Sequence, residues 1–338
     1  MSFPRDALNR PLKDLRVSVT DRCNLRCGYC MPADVFGHDY PFLNEVDILD
    51  FKEIARLCRL FVQCGVKKIR ITGGEPLLRS HLPNLIDSLA NIDGVEDLAL
   101  TTNGLRLKEM ALPLKNAGLG RVTVSLDALS GKIAKQLNGR ADSAERTLSG
   151  IMAAQDAGLS VKVNAVIQKG LNEGEILPLA KRFKGTGVTL RFIEFMDVGN
   201  HNGWREDLVF KSDEVLDVLK QEFPIEPIPP NYIGEVATRY SYSDGQGELG
   251  VVSSVSQPFC GDCSRARLTA DGKLVTCLFA KDGHDLAHAM RCGADDETLL
   301  GMILNIWRGR SDRYSEQRVD NLKKSNHRSK VEMSYLGG

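Results

Sequence analysis

The sequence predicts an α/β fold: an incomplete barrel of six βα units, followed by a smaller C-terminal region. Between residues 15 and 195, six β-rich runs alternate with segments of helical periodicity, which is the pattern of a parallel sheet with right-handed crossovers. Six units are fewer than the eight of a closed barrel. The alternation stops near residue 198, where loops and a proline-rich connector begin. We therefore expect a barrel over residues 1–198 and a second region over 199–338.

The six predicted strands are short and rich in β-branched residues, and they cover 15–20, 67–72, 95–102, 120–128, 159–167 and 188–196. The intervening helices are predicted over 46–65, 80–91, 106–118, 142–157 and 173–184. In the first helix, apolar residues recur at helical intervals from Ile48 to Cys58, and Gly65 ends it. Beyond residue 198 we expect a proline-rich connector over 223–235 and helices over 212–222, 284–291 and 295–309.

Composition excludes several classes of partner. The chain has 338 residues, and its 44 basic residues balance 44 acidic ones. There is no net field of the kind that gathers nucleic acid or a membrane surface, so neither partner is expected. The first 18 residues are too polar for a signal peptide, and no apolar stretch is long enough to span a bilayer. These observations predict a cytoplasmic protein.

Six of the nine cysteines fall into two groups of three. The first group, Cys23, Cys27 and Cys30, has the spacing C-x3-C-x2-C in one short loop. Three thiolates suit a cubane iron–sulfur cluster with one iron left open, which S-adenosylmethionine could fill. "TGGEP" (72–76) and Tyr29 are placed to contact that cofactor. The alternative is a zinc site completed by a distant ligand, for which His38 is the nearest candidate.

The second group is Cys260, Cys263 and Cys277, with the spacing C-x2-C-x13-C. A zinc knuckle is a serious alternative here, because C-x2-C is common to both kinds of site. Arg265 and Arg267 occupy alternate positions of a predicted strand, so their guanidinium groups point the same way and could bind a polyphosphate. The three remaining cysteines stand alone, and we expect them to be small buried hydrophobic residues: Cys58, Cys64 and Cys292.

Several motifs together carry a resemblance to a known family. The first cysteine triplet followed by "TGGEP" resembles the radical S-adenosylmethionine superfamily. "TTNG", "SLDA", "RFIEFMDVGN", "CSRARLTADGKLVTCLF" and the final Gly-Gly are similar to the GTP 3′,8-cyclase family of molybdenum cofactor biosynthesis, along nearly the whole chain. The resemblance implies a radical S-adenosylmethionine barrel whose opening is covered by a C-terminal region with a second iron–sulfur cluster.

The resemblance also implies roles for individual residues. Two [4Fe-4S] clusters would be held by Cys23, Cys27 and Cys30 and by Cys260, Cys263 and Cys277. S-adenosylmethionine would be bound by Tyr29, Gly74, Glu75, Ser125 and Met196. GTP would be bound by Arg16, Arg70, Thr101, Lys162, Arg265, Ala266 and Arg267. The catalytic residues would be Arg16, Arg265, Arg267, Gly337 and Gly338.

The implied reaction is a radical lyase reaction that converts GTP to (8S)-3′,8-cyclo-7,8-dihydro-GTP. A 5′-deoxyadenosyl radical would abstract the ribose 3′ hydrogen, and the resulting carbon radical would attack guanine C8. Implied partners are a second copy of the chain in a homodimer, a flavodoxin- or ferredoxin-like electron donor, and the cyclic pyranopterin monophosphate synthase that takes the product. Two alternatives stay open: a radical enzyme acting on a peptide or another nucleotide, and a zinc-stabilised nucleotide-binding module without catalysis.

Overall fold

A computed structural model describes residues 4–232, 234–318 and 329–337, and the incomplete barrel of six βα units is confirmed. Its six strands pair in parallel, each with the next along the chain. They are β1 (Asp14–Ser18), β2 (Lys68–Thr72), β3 (Asp97–Thr102), β4 (Arg121–Ser125), β5 (Ser160–Ile167) and β6 (Thr189–Glu194). β4 ends at Ser125, before the predicted residue 128, and the Asp127 side chain beyond it bonds to Tyr29 of the cysteine loop and to Val166 of β5.

The C-terminal region extends this sheet at both edges. Its strands are β7 (Ile225–Ile228), β8 (Thr238–Tyr242), β9 (Glu248–Val252), β10 (Arg265–Leu268), β11 (Lys273–Val275) and β12 (His284–Asp285). β9 pairs in parallel with β6 and β10 in parallel with β1, so eight parallel strands follow one another in the order β10-β1-β2-β3-β4-β5-β6-β9. The end of the βα alternation near residue 198 therefore does not mark an edge of the sheet.

Two elements of the C-terminal region differ from the prediction. The proline-rich connector contains β7, in which Pro227 pairs with Tyr240 of β8. β7 is the last strand of the sheet, where a missing backbone N–H is tolerated. The segment predicted as a helix from 284 begins with β12 and becomes helical only at Leu286.

The helices include two, the fourth and the tenth along the chain, that the sequence did not predict. They are α1 (Phe51–Gln63), α2 (Leu82–Ala90), α3 (Leu107–Asn116), α4 (Gly131–Asn138), α5 (Ser143–Asp156), α6 (Ile176–Phe183), α7 (Ser212–Lys220), α8 (Leu286–Arg291), α9 (Asp296–Arg308) and α10 (Met333–Leu336). α4 escaped prediction because it is short and starts with glycine. None of the helices in the described ranges is long and apolar enough to cross a membrane.

Alternation along the strands separates an apolar core from a polar interior. In β1, Leu15 and Val17 are fully buried and belong to one hydrophobic core with Leu57 and Phe61 of α1. Asp14, Arg16 and Ser18 point to the opposite face, since successive side chains of a strand alternate. The face opposite the core is therefore lined by polar and charged side chains.

Candidate active site

The polar interior encloses a cavity of about 690 Å³, and both cysteine triplets line it. Most of the other residues singled out by the sequence line it too: Arg16, Tyr29, Arg70, Gly74, Thr101, Ser125, Lys162, Met196, Arg265 and Arg267. Glu75, Ala266 and Gly337 lie beside the cavity without lining it. Gly338 lies outside the described residues.

The first cysteine loop is a tight turn fixed by backbone hydrogen bonds. The amides of Cys30 and Met31 both donate to the carbonyl oxygen of Cys27, at 3.0 and 2.8 Å. Arg26 Nη1 donates to the Cys23 carbonyl at 2.9 Å, and the Gly28 amide donates to Leu137 O of α4 at 3.0 Å. The unpredicted helix α4 is thus one wall of this site.

The cysteines of the first loop are half-buried, which disfavours their charged thiolate forms. Burial raises the pKa of Cys23 to about 11, with the charge of Glu75 adding to the effect. Burial also raises the pKa of Cys27 and of Cys30, and the neighbouring thiols add to it. Three such thiols become thiolates when a cationic metal centre binds them, because the metal compensates the cost of their charge.

The glycines of "TGGEP" allow two backbones to approach closely. A Cβ on Gly74 would lie 2.4 Å from Arg22 O, and the Gly74 amide donates to Thr20 O at 2.7 Å. The Glu75 carboxylate accepts hydrogen bonds from Leu77 N at 3.0 Å, Thr102 Oγ1 at 2.7 Å and Asn103 N at 2.7 Å. Glu75 therefore fixes the loop after β3 against the loop after β2.

Two polar residues of the site were not predicted. Asn103 Nδ2 lies 3.8 Å from Cys23 Sγ and donates to Asn24 Oδ1 at 2.7 Å. The Asp127 carboxylate accepts from Tyr29 Oη at 2.7 Å and from Val166 N at 2.8 Å, which ties the cysteine loop to the ends of β4 and β5. The motifs "TTNG" and "SLDA" contain these two residues and place both segments at the site, but they did not predict a role for either side chain.

The second cysteine loop is held by arginines from distant parts of the chain. Arg10 Nη1 donates to Cys260 O at 2.8 Å, and Arg310 Nη1 donates to Cys263 O at 2.7 Å. Arg265 Nη2 and Arg310 Nη2 each lie 3.3 Å from Cys263 Sγ. Burial opposes ionisation of this thiol, but the two guanidinium charges outweigh it and lower the pKa of Cys263 to about 6. Cys263 is therefore ready to bind a metal as a thiolate.

Three arginines form a row across three adjacent parallel strands. Arg16 of β1 is the register partner of both Arg267 of β10 and Arg70 of β2. Arg70 Nη1 donates to Thr101 Oγ1 at 3.2 Å and to Thr123 Oγ1 at 3.1 Å. Among the described residues, the Nε atoms of all three arginines have no hydrogen-bond partner. Burial, and then the charges of Arg267 and Arg70, hold the pKa of Arg16 well below its ordinary value.

Among the other cations that line the cavity are two that form ion pairs with aspartates and one that donates to a neutral side chain. Lys68 Nζ lies 3.0 Å from Asp14 Oδ2, and Arg121 pairs with Asp97 at 2.6 Å. Arg191, which was not predicted as a site residue, donates from Nε to the neutral Asn164 Oδ1 at 3.0 Å. The carboxylates thus neutralise the cations near the start of the strands, and the arginine row keeps its charge for an anionic ligand.

The donor geometry differs from that of a single-ion site. In residues 4–232, 234–318 and 329–337, no three His, Cys, Asp or Glu side chains are grouped so as to bind one metal ion. The thiolates of a cubane each bind a different iron, so they surround a volume instead of meeting at one point.

Comparison with known proteins agrees with the site. Residues 17–183 match the model of the radical SAM superfamily, and residues 188–316 match the model described as Molybdenum Cofactor Synthesis C. The chain is similar in fold to Streptococcus suis SuiB bound to S-adenosylmethionine, with a TM-score of 0.60 and 16% identity over 97% of this chain and 72% of that chain.

Two curated relatives are much closer in sequence. The GTP 3′,8-cyclase of Staphylococcus haemolyticus is 47% identical over 99% of this chain and 98% of its own length. The GTP 3′,8-cyclase of Staphylococcus aureus strain Newman is 48% identical over the same shares of both chains. The chain therefore belongs to the GTP 3′,8-cyclase family of the radical S-adenosylmethionine superfamily.

Proposed function

We propose that this chain converts GTP to (8S)-3′,8-cyclo-7,8-dihydro-GTP in the first step of molybdenum cofactor biosynthesis. One observation carries the proposal: a single cavity of about 690 Å³ is lined by two cysteine triplets and by the arginine row of Arg16, Arg70 and Arg267. A cluster-forming triplet, together with cations that have no carboxylate partner in the part of the chain that the structure describes, suits a radical reaction on a nucleoside triphosphate.

The residues present fit both cofactors that the family uses. A [4Fe-4S] cluster with S-adenosylmethionine fits the first triplet, because three half-buried cysteine thiols leave one of four irons without a protein ligand. When bound, this pair supplies the radical chemistry that removes the hydrogen from ribose C3′. Tyr29, Gly74, Ser125 and Met196 line the cavity and would bind S-adenosylmethionine. Glu75, whose carboxylate already accepts three hydrogen bonds, would act by shaping the loop.

A second [4Fe-4S] cluster is proposed at Cys260, Cys263 and Cys277. The Cys263 thiol has its pKa lowered to about 6, against the effect of burial, by Arg265 and Arg310. Arg10, Arg310 and Asp6 form a buried network beneath the loop, with Arg10 Nε 2.6 Å from Asp6 Oδ2. This support holds the loop in a defined shape, and Cys260, Cys263 and Cys277, which line the cavity, would hold the cluster there.

The arginines have unequal roles in substrate binding. Arg16 and Arg267 line the cavity and, among the described residues, form no ion pair that would neutralise them, and Arg70 is aimed by Thr101 and Thr123. Arg265 is engaged with Cys263 Sγ at 3.3 Å, and its guanidinium lies 5.2 Å from the centre of the Phe259 ring. We therefore assign Arg265 mainly to the thiolate and the other three to the phosphates, together with Lys162 and the backbone of Ala266.

The chain's own residues orient the substrate and exclude water. Phosphate binding at the arginine row would fix one end of GTP, and the second cysteine loop would fix the other. Contacts at both ends of GTP would hold its ribose in a fixed orientation in the cavity, and fixed orientation lowers the entropic part of the barrier. The tail contributes to closure, because a Cβ on Gly337 would lie 2.3 Å from Thr72 Cγ2, directly against the glycine loop. Gly337 and Gly338 would complete the site from that side.

The family also implies partners, which we propose here as well. They are a second copy of the chain in a homodimer, a flavodoxin- or ferredoxin-like electron donor, and the cyclic pyranopterin monophosphate synthase that consumes the product in the cytoplasm. Light scattering on the anaerobic protein tests the first, and complementation by each reductant tests the second.

The test uses anaerobic protein, GTP and ATP, with Arg267→Ala as the variant and Arg205→Ala as the matched control. Arg205 pairs with Asp207 on the surface and is far more exposed. We expect the wild type to form cyclic product from GTP and not from ATP. Arg267→Ala should lose product formation but retain some S-adenosylmethionine cleavage, and Arg205→Ala should behave like the wild type. Unchanged product formation in Arg267→Ala would refute the proposal that Arg267 binds the phosphates. Turnover of a peptide but not of GTP would refute the proposal that GTP is the substrate.

A further inference from the structure

Residues 329–337 lie against the loop that follows β6, and Asn200 of that loop pairs with the backbone of Lys330. Lys330 N donates to Asn200 Oδ1 at 2.7 Å, and Asn200 Nδ2 donates to Lys330 O at 2.6 Å. Asn200 Nδ2 also donates to Glu332 Oε1 at 2.5 Å. The Asn200 amide thus donates to and accepts from the backbone of a single residue, as a neighbouring strand does in a β-sheet. This pairing prevents residues 329–337 from sliding lengthwise past the loop.

Asp197, three residues earlier in the same loop, is a buried acidic centre. It is 7% exposed, and its carboxylate accepts from Tyr314 Oη at 2.6 Å, Arg318 Nε at 2.8 Å and Lys330 Nζ at 2.8 Å. Its backbone carbonyl accepts a further bond from Lys330 Nζ at 2.5 Å. Buried charge-assisted bonds are the strong ones, so Asp197 binds Lys330 firmly to the end of β6.

The same segment contacts the second cysteine loop. Val331 N donates to Ala280 O at 2.9 Å, and Ala280 is three residues after Cys277. The Phe279 ring stacks on Tyr314 with centroids 4.3 Å apart, and Lys330 Nζ lies 5.3 Å from the centre of the Phe279 ring. Lys330 and Val331 thus join the loop after β6 to the loop that carries Cys277.

From this anchor the segment reaches the loop after β2. Gly199 has a φ of +64°, and a Cβ there would lie 2.5 Å from Glu332 Oε2, so the bare backbone lets the segment approach. α10 then leads to Gly337, whose contact with Thr72 brings it to the start of the glycine loop. The segment therefore spans from the end of β6 to the end of β2, on the side where both cysteine loops lie.

We propose that Asp197 and Asn200 are positioning residues that dock residues 330–337 across the cavity and so hold Gly337 at the proposed active site. Met196 and Val198, the neighbours of Asp197 in the chain, line the cavity, whereas Asp197 and Asn200 do not. They act through the docked segment and not on the substrate. This inference rests on the proposed function in one respect, namely that the docked segment is needed for cyclisation.

The test compares Asp197→Asn and Asn200→Ala with two matched controls in the anaerobic holoenzyme. Asn200 is exposed, so its truncation leaves the core intact. Asp296→Asn removes an exposed carboxylate that pairs with Arg56 at 2.7 Å, and Asn91→Ala removes an exposed amide that bonds within its own helix end. The first measurement is hydrogen exchange of a peptide covering 329–337, read by mass spectrometry. The second is the ratio of 5′-deoxyadenosine released to cyclic product formed.

We expect exchange of Val331 and its neighbours to accelerate about tenfold or more in both docking variants, since each loses a charged or paired hydrogen bond. The ratio of 5′-deoxyadenosine to product should rise about fivefold or more, with iron content and GTP affinity unchanged, and both controls should match the wild type. Unchanged exchange overturns the proposal, and so does faster exchange with an unchanged ratio. If the wild type itself forms no cyclic product, the proposed function fails, while the exchange contrast still decides whether these residues dock the segment.

Discussion

Replacing Arg267 with methionine should make the nucleotide-free protein more stable and abolish its response to GTP. Arg267 is 4% exposed, and burial, followed by the charge of Arg265, lowers its pKa to about 10 from an ordinary 12.5. At pH 7.5 the group is charged in both the folded and the unfolded chain, because that pH lies below both values. At about 1.4 kcal/mol per pKa unit, the folded state therefore loses about 3 kcal/mol by keeping this charge.

Methionine keeps the length of the side chain without its charge, so the variant is relieved of that cost. We expect the melting temperature of the anaerobic, cluster-loaded protein without nucleotide to rise by about 5 °C. Wild-type protein with GTP at 100 times its dissociation constant should gain about 2.7 kcal/mol, whereas the variant should gain almost nothing. Arg205→Met, at an exposed surface pair, is the control and should change neither value.

The assay is differential scanning fluorimetry under anaerobic conditions, with and without GTP. A variant that melts lower than the wild type and still responds fully to GTP would refute the reasoning. It would mean that Arg267 is neutralised by the folded chain and is not held in reserve for an anion.

Three further changes test other parts of the site. Thr123→Val removes one of the two hydroxyls that aim Arg70, so the KM for GTP should rise about fivefold in steady-state kinetics while S-adenosylmethionine binding is unchanged; an unaltered KM would contradict this. Burial lowers the pKa of Lys68 to about 8, so the unfolding free energy of the nucleotide-free protein should rise as pH increases from 8 towards 10.5, and Lys68→Met should flatten that rise in melting scans. Gly337 has a φ of +73°, and a Cβ added there would lie 2.3 Å from Thr72 Cγ2, so Gly337→Ala should displace the tail. We expect product formation to fall at least tenfold while the iron content stays normal. Full activity of this variant would show that the tail has no part in the reaction.

The barrel could be predicted because its signal is local. Each of the six strands is a short β-branched run, and each is followed by amphipathic residues that can be recognised within a few turns. β9 and β10 carry no such signal for their place in the sheet. Their pairing with β6 and β1 joins residues far apart in the chain, and only the folded topology decides it.

The candidate site also combines features that have a local sequence signal with features that depend on long-range contacts. Cysteine spacing and the alternation of Arg265 with Arg267 are local, and both triplets and both arginines do line one cavity. The residues that hold them there come from far away: Arg10 reaches Cys260 across 250 positions, and Arg310 reaches Cys263 across 47. Asp197 shows the same limit, since its three side-chain partners lie more than 100 residues further along the chain. Such contacts leave no periodic pattern in the sequence.

The central claim, that each cysteine triplet holds its own cluster at one shared cavity, is tested most directly by counting iron and sulfide. The count is made on anaerobically reconstituted wild type and on two variants, one with Cys23, Cys27 and Cys30 replaced by serine and one with Cys260, Cys263 and Cys277 replaced by serine. Two cubanes predict about eight irons per chain in the wild type and about four in each variant. A wild type with about four irons that the second variant retains in full, or stoichiometric zinc in place of iron, would contradict the account.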